Sequence, residues 1–79
     1  MENLTAGQKA FLDQMTRKLM VDWCDLAVRT SSPYIAGTPM SRYLDHAVTK
    51  KWLSAKDPET DDHRILSAGW ETAARFLKR

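Results

Sequence analysis

The chain has 79 residues, 43% of them hydrophobic and 28% charged, with three Gly and three Pro. That composition describes one small globular domain over 1–79 and excludes a disordered or low-complexity protein. The net charge of +2 is too weak by itself to announce a nucleic-acid partner. No apolar run approaches the roughly 20 residues that span a bilayer, and neither a secretory leader nor a disulfide partner for the single Cys24 is visible, so a cytoplasmic chain without a membrane partner is expected.

The first helix announces itself with Thr5-x-x-Gln8, a capping-box spacing in which each side chain satisfies an orphan amide at the helix start. Phe11, Leu12, Met15 and Leu19 then recur at helical spacing, and Trp23 and Leu26 could extend the same stripe. Asp22 would fall inside that apolar face, where an unpaired carboxylate is costly. The reading is therefore a break near 20–21, with Asp22 capping a short second helix over 23–29. Residues 30–37 read as loop, because Ser31-Ser32-Pro33 and Ala36-Gly37 are turn-forming clusters.

Thr38-Pro39 starts a further helix, with Thr as N-cap and Pro at the first helical position. Met40, Tyr43, Leu44, Ala47 and Val48 form its inward stripe. Ser41, Arg42, Asp45, His46, Thr49 and Lys50 lie on its sides and opposite face. On a continued helix Lys51 would project into the apolar stripe, so the helix should end at 50–51 and release an extended segment.

The chain after Lys56 has two readings. A helix over 58–77, capped by Asp57-Pro58, would make the protein an all-α bundle of three or four helices. It would also put Glu59 and Asp62 on the face of Ile65, Leu66 and Trp70, and Gly69 in mid-helix. The favoured alternative is a hairpin pairing 52–56 with 63–67 around a polar tip, then a last helix burying Trp70, Ala73, Ala74 and Leu77. Phe11, Leu12, Met15, Leu19, Trp23, Leu26, Leu44, Val48, Ile65 and Trp70 are the expected core.

Three helices followed by a two-stranded hairpin is the order of a winged helix-turn-helix, mostly α with a small β-hairpin. Asp25-Leu26-Ala27 resembles the "DLA" of bacterial helix-turn-helix units, and Ser41-Arg42-Tyr43-Leu44-Asp45 the "SRYLD" of a recognition helix. Lys50-Lys51-Trp52-Leu53 stands where such families write "KGLV". Asp57-Pro58-Glu59 with Asp62-His63-Arg64 is similar to the wing of the multiple-antibiotic-resistance-regulator type. The resemblance covers about residues 22–70. Its departures are a longer turn before the recognition helix, Lys51 in place of Gly, and the lack of the long terminal helices through which that family dimerises. A homodimer is therefore left open.

The resemblance implies double-stranded DNA as partner and a transcriptional regulator or phage-type accessory factor as role. It makes Arg64 a minor-groove residue and Asp62 its holder. Under the resemblance Thr38, Ser41, Arg42, His46, Thr49 and Lys50, donors on the solvent side of the recognition helix, would face a major groove, with Lys56, His63 and Arg64 on the wing. Residues 33–53 carry Arg42, Lys50 and Lys51 against Asp45, whereas 54–64 carry Lys56 and Arg64 against Asp57, Glu59, Asp61 and Asp62. An acidic tip is repelled by phosphate, so a protein-interaction module, an adaptor or inhibitor of a nucleic-acid machine, is the other reading. Catalysis finds little support: His46 and His63 read as surface histidines, Cys24 as a partly buried small residue, and no metal-ligand spacing or phosphate-binding Gly loop occurs. Neither an enzyme nor a cofactor is expected.

Overall fold

A computed structural model describes residues 4–36 and 41–78. The order is α1 (Ala6–Thr30), β1 (Tyr34–Ala36), α2 (Ser41–Thr49), β2 (Asp62–Arg64) and α3 (Ser67–Leu77). The described chain is mostly helical, with one small two-stranded antiparallel sheet.

α1 begins with the expected capping box: Thr5 Oγ1 accepts from the Gln8 amide at 3.1 Å, and Gln8 Oε1 accepts from the Thr5 amide at 2.9 Å. The helix does not break at 20–21, and no separate helix occupies 23–29. Its 25 residues run about 37 Å at 1.5 Å each, the full 37 Å length of the molecule, so α1 is a spine against which α3 and α2 both pack. The expected break rested on a misplaced stripe. The buried positions are Thr16, Met20, Trp23, Cys24 and Ala27, roughly a quarter-turn around the helix from the Phe11–Leu26 line. With that setting Asp22 is exposed, and so are Phe11 and Leu26. Thr16 tolerates full burial because its hydroxyl donates to the Leu12 carbonyl at 2.7 Å. The helix closes at Ser31, in the left-handed region at φ 54°, with the Ser32 amide reaching back to the Ala27 carbonyl at 3.0 Å.

Residues 34–36, expected as loop, are instead the strand β1. Ile35 is buried between exposed Tyr34 and Ala36, and the register is Tyr34↔Arg64, Ile35↔His63, Ala36↔Asp62. The expected hairpin survives in reduced form. Leu53 and Ile65 form a single antiparallel bridge, flanked by Ser54 N–H to Arg64 C=O at 2.8 Å and Leu66 N–H to Trp52 C=O at 3.0 Å. Because successive amides along a strand point to opposite edges, the 52–54 segment lies on one edge of the 62–66 strand and β1 on the other. Residues 58–60 turn, which removes the continuous 58–77 helix and the all-α bundle.

α2 ends at Thr49, and Lys51 at φ 66° carries the left-handed residue of a Schellman closure. The Lys51 amide donates to the Val48 carbonyl at 3.0 Å, and that of Trp52 to the Ala47 carbonyl at 2.9 Å. This turn drives Trp52 and Leu53 into the core. α3 buries Gly69, Thr72 and Ala73, whereas Trp70, Ala74 and Leu77 are exposed, contrary to expectation. The smallest face is turned inward because a larger one does not fit: a Cβ on Gly69 would lie 2.3 Å from the Trp52 carbonyl oxygen. The core is Met20, Trp23, Cys24, Ala27, Ile35, Leu44, Ala47, Trp52, Leu53, Ile65 and Ala73, with Leu19, Val21, Tyr43 and Val48 against it.

Candidate nucleic-acid interface

α2 is amphipathic in the sense its sequence announces. Leu44 and Ala47 are buried, Tyr43 and Val48 half-buried, and Arg42, Asp45, Thr49 and Lys50 exposed. Arg42, Asp45 and Thr49 share one outward strip by their spacing of three and four residues. Thr38 and the side chain of Ser41 lie outside the described residues. Asp45 sits within the strip, so its face is not uniformly basic.

His46 departs from that face. Its Nε2 donates to Asp13 Oδ1 at 3.0 Å, its ring meets Trp52 edge-on at 5.9 Å, and its side chain is 17% exposed. Asp13 also accepts from Arg17 Nε at 2.7 Å, and the Arg17 guanidinium lies 5.0 Å over the Trp52 ring. Asp13, Arg17, His46 and Trp52 thus close a ring joining α1, α2 and the turn after α2. Burial alone would raise the Asp13 carboxyl, but the hydrogen bonds and positive charge of His46 and Arg17 outweigh it and hold it below its ordinary 3.8. Sequence reading missed this ring. Asp13 and Arg17 form a visible i, i+4 pair, but nothing local connects them to a histidine on α2.

An arm over residues 51–66 leaves α2 through Lys51. Lys56 is exposed, and so are Asp57, Glu59 and Asp61 at the tip. The Asp57 carboxylate accepts the Glu59 amide at 2.8 Å, and the Asp57 amide donates to the Asp62 carbonyl at 2.9 Å. Along β2 the side chains alternate. His63 turns inward, is buried, and donates from Nδ1 to the Ser54 carbonyl at 3.0 Å. Neither histidine is therefore the surface group expected, and His63 presents nothing to a ligand. Arg64 is exposed opposite Tyr34, with its amide held by Ser54 Oγ at 2.8 Å. Asp62 and Arg64 share a strand face, yet no ion pair joins them among the described residues.

The structure exposes Arg42 and Thr49 on one strip of α2 and Lys50 just past its end, and sets Lys56 and Arg64 on the adjoining arm. Cys24 is buried, and burial pushes its thiol up to about 11. Among the described residues no three His, Cys, Asp or Glu side chains converge as a metal site, and no helix is long and apolar enough to cross a membrane. No protein-family model, curated protein or solved structure matches the chain.

Proposed function

We propose that the chain binds double-stranded DNA as a small winged-helix-like module, serving as a transcriptional regulator or a phage-type accessory factor. In this reading α2 enters the major groove, where Arg42 pairs with guanine O6 and N7 and Thr49 and Lys50 approach backbone and base edges. The arm lies along the phosphates with Lys56 nearest and Arg64 toward the minor groove. The observation that carries the reading is the order of parts: a short amphipathic helix whose exposed strip carries Arg42, Asp45 and Thr49, with Lys50 exposed just past its end, closed by a tight turn at Lys51 and followed at once by an antiparallel arm bearing an outward Arg64. The merged α1 supplies the supporting helix that two shorter ones would otherwise form.

The test is a titration against random and selected duplex DNA at two salt concentrations. Arg42→Ala should lose about 1–3 kcal/mol and relax base preference, with the fold checked by circular dichroism. Lys50→Ala should weaken all sequences alike and flatten the salt slope by about one. Arg64→Ala should weaken binding with little change in major-groove preference. A wild type that shifts no duplex at low salt would sink the proposal. The protein-interaction reading then takes its place, favoured by one observation: the exposed tip carries Asp57, Glu59 and Asp61 and no basic residue.

A further inference from the structure

α1 and α3 meet along a shallow groove of about 390 Å³ lined by the apolar Val21, Val28, Trp70, Ala73 and Leu77 and, on α1, by the carboxylates Asp22 and Asp25, the latter paired with Arg29 at 3.1 Å. Two of those apolar side chains are mostly in water: Val28 is 68% exposed and Leu77 69%. On α3 the exposed residues Trp70, Ala74 and Leu77 repeat at four and three residues, the spacing of a helix-packing seam. The small Ala74 at its centre would let another helix approach closely. Beside the seam stand Glu71 and Lys78, both exposed and neither in an ion pair among the described residues. They are a heptad apart, too far to pair on one helix, and they lie on the same flank.

We propose that this groove seats a second copy of the chain, packed about a two-fold axis near Ala74 with the two α3 helices antiparallel. That symmetry sets Trp70 of one copy beside Leu77 of the other. It also sets Glu71 against Lys78 twice over, because equivalent flanks face each other only when paired helices run antiparallel. The face carries both a charge and its counter-charge at matching spacing, which is the self-complementarity an isologous interface requires. The inference is independent of DNA binding, and its test uses no DNA, so either can fail alone.

Sedimentation velocity over a micromolar-to-millimolar series should show the wild type passing from monomer to dimer. Leu77→Lys, at an exposed position, should keep the helical circular dichroism and abolish the dimer. Glu71→Lys removes both ion pairs and adds repulsion, so it should weaken the dimer roughly tenfold, while Glu71→Lys with Lys78→Glu should restore it to within about twofold. A folded wild type that stays monomeric at every concentration overturns the proposal. So does a dimer indifferent to Leu77→Lys, or a double charge swap no tighter than Glu71→Lys alone.

Discussion

Gly69→Ala is the sharpest test of how α3 is docked. In an isolated helix the change stabilises, by up to ~1 kcal/mol. Here the added Cβ would stand 2.3 Å from the Trp52 carbonyl oxygen, 2.8 Å from Met20 Cε and 3.2 Å from Ile65 Cγ2. The methionine tip can move. The carbonyl cannot move without disturbing its hydrogen bond from the Leu66 amide at 3.0 Å, which ties the arm to the start of α3. Overpacking of this kind costs about 1–3 kcal/mol, and loss of the bond about 1 more. Set against the helical gain, the net loss should be about 1–3 kcal/mol, or roughly 5–20 °C in melting temperature for a chain of this size. Gly7→Ala is the control. Gly7 is also in the first turn of a helix, but the nearest atom to its added Cβ, Thr5 Oγ1, is 4.0 Å away, so only the helical gain should appear. Urea unfolding followed by circular dichroism reads both variants. A Gly69→Ala protein as stable as Gly7→Ala would refute the close approach of α3 to Trp52.

Leu44 is 3% exposed, so Leu44→Ala should lower unfolding free energy by about 2–5 kcal/mol; an unchanged urea midpoint would mean α2 is turned the other way. The Asp13 carboxyl is held below its ordinary value, so its contribution is complete above about pH 4 and is lost as pH falls through the lowered value. Asp13→Asn should therefore destabilise at neutral pH by an amount that shrinks on acidification, and a gap that widens below pH 4 would contradict the ring with Arg17 and His46. Cys24 is buried with a raised thiol, so a maleimide should label native protein far more slowly than protein in denaturant; equal rates would show the α1–α3 seam open.

Signals carried within a few residues of chain were legible. The Thr5-x-x-Gln8 box, the inward Leu44 and Ala47 of α2 and the helix exit at Lys51 all depend on near neighbours. The rotation of α1 depends on what packs against it. Its chain offers one stripe through Phe11 and Leu26 and another through Met20 and Ala27, and the narrow α3 face of Gly69, Thr72 and Ala73 fits the second. β1 is a three-residue strand, too short for alternation to register, and its partner lies beyond α2 in the chain. The candidate site divides the same way. Arg42 and Thr49 are exposed because helical period alone puts them there. His63 is buried because β2 begins at Asp62, a register that only the pairing with β1 determines.

Lys51 joins the stability argument to the functional one. It occupies the left-handed position of the closure after α2, where a side chain costs about 1–2 kcal/mol and glycine little. Nothing in the fold rewards the lysine: its side chain is exposed and makes no ion pair among the described residues. Under the DNA reading it has a use, because it stands at the exit of the groove-entering helix, next to Lys50, where a phosphate would pass. Lys51→Gly should then raise the melting temperature by a few degrees, weaken binding to every duplex alike and reduce the salt slope by about one. Lys51→Asn separates the two effects, since asparagine tolerates the left-handed region without carrying charge. It should match the glycine variant in DNA affinity while gaining less stability. A glycine variant that is more stable and binds DNA as tightly as the wild type would remove Lys51 from the interface and leave its backbone strain without a function.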